Sequence, residues 1–451
     1  GSAPVGLVNL GNTCFLNSLL QALAHSDGFC NELLGPVLKA PVLKAADGPG
    51  QKTTGQKEAL SLCTELRRCL SVLAPGSATE RTVWSPSALH RSLPPPFNAT
   101  SQQDSAEMLR FLLDALDSNT AVSDAPNSGG GGAFNYSCYR RAAGALQGKL
   151  MNETRCRGCG AVSAVAEPFS EITVALPDCA PNVSLIDGAP SVASLLGASL
   201  IEAQALDGLY DCAHCAAKSP LAESVSPIEA RQRADRRTVL VEAPQHLVVT
   251  LARFRYGQGE GSKICAPVAI SPTLRLPLDK ALEPPPSTNE KQPESAAQYV
   301  LYGVIVHAGR SAEAGHYYAL ARDSAQFAEA SVASPGGDWH LTNDRGVKAL
   351  SSEAMGALLG ASSSAADTPY MLFYRRVAPV GRVPPADRRI PSSPPEAPGL
   401  PRTLPGSGVA ADLREWLAVD NAAYRHEVAQ DAQRRAVKPK AGPSPGVGGA
   451  G

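Results

Sequence analysis

The apolar positions follow two different rhythms along the chain. Early on they recur with a helical period. Leu16, Leu19, Leu20 and Leu23 stand at i, i+3, i+4 and i+7, and Leu109, Leu112, Leu113 and Leu116 repeat the pattern. Helices are therefore predicted over 14–24 and 104–117, each with one apolar face. Ser101 followed by Asp104 reads as a capping box at the start of the second helix. Later the apolar residues gather into short runs rich in Val, Leu, Ile, Tyr and Phe, at 246–254, 299–307, 317–322 and 370–375, which are predicted strands. Helices first and strands afterwards predict an α+β fold, not the alternation of a doubly wound sheet. A last helix, over 411–437, carries Leu413, Trp416, Leu417, Tyr424 and Val428 on roughly one face. Segments near 41–57, 118–133 and 256–297 carry breakers or Gly and Pro clusters and read as loop insertions. Residues 378–410 read as a Pro-rich linker and 438–451 as a disordered tail.

Composition changes this picture in a few respects. The chain has 451 residues, 43% of them hydrophobic, enough for a sizeable core. Lys plus Arg number 41 against 42 for Asp plus Glu, a formal net charge of -1, which argues against nucleic-acid binding through bulk positive charge. No apolar run reaches the roughly 18 residues of a membrane-crossing helix, and no secretory signal pattern is present, so neither nucleic acid nor membrane is an expected partner. The first residue is Gly1, not Met, so the sequence reads as a fragment or trimmed chain. An odd count of 11 cysteines without a signal pattern argues against a disulfide framework. It favours a reducing compartment, cytoplasm or nucleus. Cys30, Cys63, Cys69, Cys138, Cys179 and Cys265 are irregularly spaced and read as free thiols.

The remaining cysteines, with one histidine, carry candidate chemistry. Cys14 opens the first predicted helix after Gly11-Asn12-Thr13. A thiol there feels the positive end of the helix dipole, which favours the reactive thiolate, and the turn before it can converge amides on an oxyanion. The same residue can equally be a small buried hydrophobe. A cysteine hydrolase needs a base, and His316 lies in Gly315-His316-Tyr317-Tyr318 at a predicted strand start. Asn343 and Asp344 are the nearest polar pair downstream for a third, orienting group. Cys156-Arg157-Gly158-Cys159 and Cys212-Ala213-His214-Cys215 are two CxxC units. Together they fit one closed tetrahedral, structural Zn2+ site better than redox chemistry.

Residues 6–21, from Gly6 through Cys14 to Gln21, resemble the cysteine box of the ubiquitin-specific proteases. Gln102 to Leu109 resemble their glutamine-rich box, 302–307 with 315–318 their histidine box, and 339–347 and 370–374 their closing segments. The boxes stand in family order across 6–375. The resemblance implies a catalytic domain over 1–377 with a papain-like thumb, palm and fingers and a zinc ribbon in the fingers. It implies a thiol-dependent deubiquitinase whose partners are ubiquitin and ubiquitinated proteins. Cys14 would be the nucleophile, His316 the general base and Asn9 the source of the oxyanion-hole amide. The resemblance favours Asn343 as the third triad member. Charge logic favours Asp344, since a carboxylate stabilises an imidazolium better. Thr342 and Met108 depart from the family's usual aromatics. The histidine box and the terminal helix resemble the branch of ubiquitin carboxyl-terminal hydrolases thirty-five and thirty-eight.

The tail of ubiquitin carries arginines. Asp104 and Glu107, three apart on a helix, put two carboxylates on one face to meet them. Alternatively, the two merely favour the helix N-terminus. Gln103, His307 and Tyr317 are further candidates for lining the tail channel, with His307 equally readable as structural. Two other readings stay open: a module that holds ubiquitin without cleaving it, and a processing protease for a related modifier.

Overall fold

The computed structural model describes residues 4–35, 54–118, 137–177, 189–200, 203–218, 231–255, 261–278, 296–311, 314–322, 339–359, 367–377 and 409–437. Helices dominate the first part: Cys14–Ala24, Asp27–Leu34, Thr54–Leu73, Ser87–Ser92, Ser105–Ser118 and Ser137–Gly144. Strands dominate from Gly148 onward, as the change of apolar rhythm predicts. The helix predicted over 104–117 starts at Ser105, not at a Ser101 box. Asp104 is its cap, and its Oδ1 accepts from the amides of Ala106 (2.8 Å) and Glu107 (3.0 Å).

An eight-stranded sheet forms the centre. Its order runs Gly346–Leu350, Trp339–Asn343, His316–Arg322, Ala296–Ala308, Asp367–Val377, His246–Ala252, Ile172–Ala175, and Thr273–Pro277 also pairs with Ala296–Ala308. Neighbours are antiparallel except His246–Ala252 with Ile172–Ala175. The helical layer packs on one face, against Val248, Val300, Tyr302, Ile305 and Phe373. The other face carries Val249, Leu301, Val304, Val306 and Leu372, covered by the helix Val192–Leu200 and its surroundings.

The parity of inward residues in Ala296–Ala308 changes in mid-strand. Val300 and Tyr302 face the helices, and then Ile305 does. A register shift between Leu301 and Gly303 accounts for it, since one extra residue exchanges the faces of everything beyond. Gly303 lies at that shift, where an added Cβ would stand 3.3 Å from Phe373 Cβ. The consequence is functional: His307 comes to the helical side, against the rings of Phe254 (5.1 Å) and Tyr317 (4.9 Å).

A separate four-stranded sheet, Val162–Phe169, Gly148–Cys156, Ala234–Glu242 and Gln204–Ala205, projects from this body. Three details differ from the sequence reading. Residues 54–57 open the helix Thr54–Leu73, because their polar run continues into a phase with Leu62, Leu66, Leu70 and Leu73 buried. The segment 256–297 contains the strands Ser262–Lys263 and Thr273–Pro277 and the start of Ala296–Ala308, and is not one continuous loop. Val428 is half exposed and lies off the packed face of the terminal helix Ala411–Val437, whose buried contacts end at Asn421 and whose ion pairs to the body reach Glu427. The predicted linker 378–410 falls almost wholly outside the described residues, as do the tail 438–451 and Cys179. Among the described residues, no helix is long and apolar enough to cross a membrane.

Candidate active site

The loop before the first helix is held by one side chain. Asn9 Oδ1 accepts from the amides of Gly11 (3.0 Å) and Thr13 (3.1 Å). Gly11 (φ 99°) and Asn12 (φ 57°) take left-handed conformations that suit Gly and Asn. Asn12 Nδ2 donates to Thr100 O at 2.7 Å, tying the loop to the segment that leads into Ser105–Ser118. Thr13 stands at the N-cap position, its hydroxyl accepting from the Leu10 amide (2.9 Å), and Cys14 is the first helical residue, with 3% of its surface exposed. Its thiol meets His316 from the neighbouring strand.

His316 is the first residue of its strand and is half exposed. Its Nε2 donates to Asn343 Oδ1 at 2.6 Å, whereas Asp344 Oδ2 lies 3.9 Å away. The bond to the Cys14 sulfur, more than any other contact, holds the imidazole up to about 9, and Asn343 and Asp344 add to it against the cost of burial. The imidazolium is thus the favoured form at neutral pH, held between the Cys14 sulfur and the Asn343 amide oxygen.

Asp344 does something else. It occupies the left-handed position (φ 48°) of the turn between Trp339–Asn343 and Gly346–Leu350. Its Oδ2 accepts from Asn9 Nδ2 (2.9 Å), its Oδ1 from Asn17 Nδ2 (2.7 Å), and its carbonyl from the Leu7 amide (2.8 Å). One carboxylate therefore fastens the nucleophile's loop and helix to the strand pair that carries the imidazole's partner. With one hydrogen of Asn9 Nδ2 engaged there, the amide is oriented and its second hydrogen remains to donate.

The base loop is clamped as well. Gln102 Oε1 accepts from the Gly315 amide (3.1 Å) and Gln102 Nε2 donates to Gly315 O (2.8 Å). Gly315 admits no side chain, because an added Cβ would collide with His307 Nε2. Lys263 Nζ holds the carbonyls of His307 (2.8 Å) and Gly309 (2.6 Å) on the other side. The pairing of Gln102 with Gly315, and the roles of Asn17 and Asp344 as fasteners, escape a reading of the sequence, because each is a contact between segments far apart in the chain. The adjacent Gln102-Gln103 pair is the signal that comes nearest.

The tail-channel candidates separate. Asp104 Oδ2 accepts from Tyr370 Oη (2.7 Å) and Tyr317 Oη (3.4 Å), while its Oδ1 caps the helix. Both Asp104 oxygens are thus engaged within the protein. Glu107 is exposed on the same helix. Gln103 donates to Ser101 Oγ at 2.8 Å and is half exposed. His307 is 2% exposed, and burial, with Lys263 and His316 nearby, pushes its imidazole down to about 4. Neutral and ring-packed, it forms the wall behind the site along with Tyr317, which is buried too.

At the far end of the projecting sheet, Cys156, Cys159, Cys212 and Cys215 bring their sulfurs within 4.8 Å of one another. Cys156 to Cys215 is 3.7 Å and Cys159 to Cys212 is 3.6 Å. Sulfurs about 2.3 Å from a tetrahedral ion would stand about 3.8 Å apart, so the set fits one metal ion. Gly160 (φ 73°) donates its amide to Cys156 O at 2.9 Å and closes the first turn. Backbone amides of Cys159 and Gly158 draw the Cys156 thiol down to about 7, while the Cys159 sulfur beside it pushes Cys215 up to about 12. A cation among the four sulfurs would favour their thiolate forms.

The family profile described as ubiquitin carboxyl-terminal hydrolase matches residues 5–374. The chain belongs to that family. Ubiquitin carboxyl-terminal hydrolase 25 of Arabidopsis thaliana is 28% identical over 348 residues, covering 76% of this chain and 44% of that protein. Ubiquitin carboxyl-terminal hydrolase 3 of Mus musculus is 28% identical over 395 residues, covering 82% of this chain and 67% of that protein. The chain thus spans about half to two thirds of the length of these hydrolases. Among solved structures, the SAGA Ubp8/Sgf11/Sus1/Sgf73 DUB module bound to ubiquitin aldehyde superposes with a TM-score of 0.55 at 20% identity. The match covers 83% of this chain and 70% of that one. The likeness shows the fold: helical thumb, central-sheet palm and projecting fingers, as the α+β, papain-like expectation has it.

Proposed function

We propose that this member of the hydrolase family is a cysteine-type deubiquitinase, cleaving the isopeptide or peptide bond after the C-terminal glycine of ubiquitin. The observation that carries the reading is the Cys14–His316–Asn343 line, with the Asn9 amide held beside it by Asp344. The Cys14 thiolate attacks the glycine carbonyl, and the oxygen takes the negative charge opposite the Asn9 amide. As the tetrahedral species collapses, His316 gives its proton to the departing amine and a thioester remains. The now neutral imidazole removes a proton from water, the hydroxide adds to the thioester, and ubiquitin leaves with its carboxylate while Cys14 recovers its thiolate. Asn343 keeps the ring aimed throughout.

Zn2+ is the metal we assign to the finger cluster. A closed set of four thiolates suits it and leaves no coordination position for chemistry, so its contribution is to hold the fingertip. Ubiquitin and ubiquitinated proteins are the proposed partners, with Glu107 and Gln103 on the path of the tail. A thiolate nucleophile and four thiolate ligands both need reduced cysteines, which supports cytoplasm or nucleus as the place of action.

The test is a ubiquitin carrying an electrophilic C-terminus. The expected outcome is a single adduct that peptide mapping places on Cys14. Equivalent probes built on related modifiers should react far more slowly. Labelling by one of those in preference to ubiquitin would move the assignment to a processing protease, and failure of every probe to react would favour a binding module.

A further inference from the structure

The family profile ends at residue 374, and the helix Ala411–Val437 lies beyond it. The first half of that helix is built into the thumb. Leu413 and Leu417 are buried, Ala410 donates its amide to Leu34 O (2.9 Å), and Trp416 meets Trp84 edge-on at 5.5 Å. Asn421 accepts from the Glu80 amide and donates to Ala78 O, both at 2.9 Å. Arg81 is the hub of the contact. Its guanidinium is bidentate on Asp420 (2.7 and 2.9 Å), reaches Glu427 at 3.2 Å, and lies over the rings of Trp84 (5.3 Å) and Tyr424 (4.9 Å). Residues 425–434 are all exposed, so the docking stops about where Arg81 does.

From Arg81 the chain runs directly to the strand beside the nucleophile loop. The Gly6 amide donates to Thr82 O (3.0 Å), Val83–Trp84 pairs in parallel with Gly6–Leu7, and the Val8 amide donates to Trp84 O (2.8 Å). Asn9 is the next residue. A sheet of two strands with two residues each has little stability of its own, so its position must be set by what packs on it. On one side that is the turn at Asp344, through Leu7. On the other it is the Arg81–Trp84 pair under the terminal helix.

We propose that Arg81 is a positioning residue for the nucleophile loop and that the helix Ala411–Val437 is its anchor. The helix fixes Arg81 and Trp84, these fix Val83–Trp84, and that strand fixes Gly6, Leu7 and Val8, and through them Asn9 and the approach to Cys14. Charge-assisted bidentate pairing and ring stacking give Arg81 a defined direction as well as attraction. Removing the anchor leaves the central sheet and the fingers as they are and loosens the loop on which the oxyanion amide sits.

The activity arm of the test rests on the deubiquitinase reading, while a second arm does not. In the full chain, Trp416→Ala with Asp420→Ala removes the ring contact and the bidentate partner, and Val428→Ser on the exposed half serves as the control. Amide hydrogen exchange is followed at 411–424 and at 6–8, and kcat and KM are measured on a ubiquitin amide with a fluorogenic leaving group. The expected result is exchange at 6–8 faster by about tenfold alongside that at 411–424. With it, kcat falls about tenfold or more while KM holds within about twofold, and the thermal midpoint of the main transition is retained. Val428→Ser should match the parent in every respect. Release of 411–424 without a change at 6–8, or with kcat unchanged, overturns the proposal. So does persistence of 411–424 protection in the double variant, since Arg81 would then not be anchored as described. If the double variant does not fold, Asp420→Asn, which keeps the shape and removes the charge, is read by the same criteria. A parent chain inert toward ubiquitin would refute the function and leave the exchange coupling to be decided on its own.

Discussion

The active-site cleft and the fingertip solve the same problem, holding a few reactive side chains in place, by opposite means. The cleft gathers Asn9, Cys14, Asn17, Gln102, His316, Asn343 and Asp344 from four distant stretches of chain and locks them with direct hydrogen bonds of 2.6 to 3.1 Å. It rests on a layer of buried side chains. The fingertip is local and thin. Its edge strand Val162–Phe169 is exposed along almost its whole length, with Val162 47% and Val165 55% exposed. Four sulfurs take the place of a core there. Chemistry is therefore separable from stability in the cleft, while at the fingertip a bound ion would be part of the fold.

The largest expected effect tests that separation most directly. Cys14→Ala removes only a sulfur from a packed helix start, so hydrolysis should fall by at least about a thousandfold while the thermal midpoint stays within a few degrees of the parent. Ubiquitin binding, read by calorimetry, should survive. Appreciable hydrolysis by this variant would assign the nucleophile elsewhere.

Next in size is the reverse case. Cys212→Ser should lower the metal content of purified protein, from one ion per chain, and raise proteolytic sensitivity at 148–169 and 231–242 before the central sheet unfolds. If the fingers grip ubiquitin, as proposed, activity should fall through KM. Elemental analysis showing no zinc in parent protein prepared without chelator would remove the metal from this account.

Within the cleft, Asn343 and Asp344 divide along the same line. Asn343→Ala frees the imidazole from an exposed partner, so kcat should drop about 10- to 100-fold with the thermal midpoint unchanged. Asp344→Ala also abandons two amides and a carboxylate-held turn, so it should lower kcat and midpoint together, the latter by several degrees. Equal midpoints for the two variants would show that Asp344 is not the fastener described.

A smaller effect comes from the raised imidazole of His316. A histidine whose folded value is raised from 6.5 to about 9 adds stability that is complete below the unfolded value and is lost as pH rises through about 9. Midpoints of the parent and His316→Ala should therefore differ most near neutrality and converge above about pH 9. Hydrolysis should decline over the same upper range, as the proton for the leaving amine is lost. A gap that widens with pH would reverse the sign of the pairing.

The same contrast decides how much was legible in the sequence. The helices under Leu16–Leu23 and Leu109–Leu116 and the α+β order could be read from period alone, and each CxxC unit is legible because its own spacing is local, though the sulfur pairs that join the units lie 53 and 59 residues apart. The reversal of faces at Gly303 could not, since no residue type announces a bulge and its effect appears four positions on, at His307. Gln102 on Gly315 and Asp344 on Asn9 and Asn17 are also invisible to spacing, at separations of 213, 335 and 327 residues. The contacts of Asp104 have a physical reason. A carboxylate at a helix start is drawn inward by free amides, and here two tyrosine hydroxyls complete the capture.

That last point makes the smallest predicted effect the most discriminating. At the start of the helix Ser105–Ser118, Glu107 is the exposed carboxylate that the tail of ubiquitin would meet, while Asp104 already holds two amides and two tyrosine hydroxyls. An exposed ion pair contributes only about 0.2–1 kcal/mol, which corresponds to a KM raised by up to about fivefold in Glu107→Ala, with kcat and thermal midpoint held. Asp104→Ala should behave in the opposite way. It loses a cap and two tyrosine partners, so its midpoint should fall, by an amount consistent with about 1–2 kcal/mol for the cap alone. Loss of folded enzyme lowers the apparent kcat, so KM should stay near that of the parent. Raising the salt concentration sharpens the distinction: screening should erase the Glu107→Ala effect on KM and leave the Asp104→Ala midpoint nearly where it was. A Glu107→Ala variant that melts early with KM unchanged would return Glu107 to the helix dipole and leave the tail without a carboxylate on this helix.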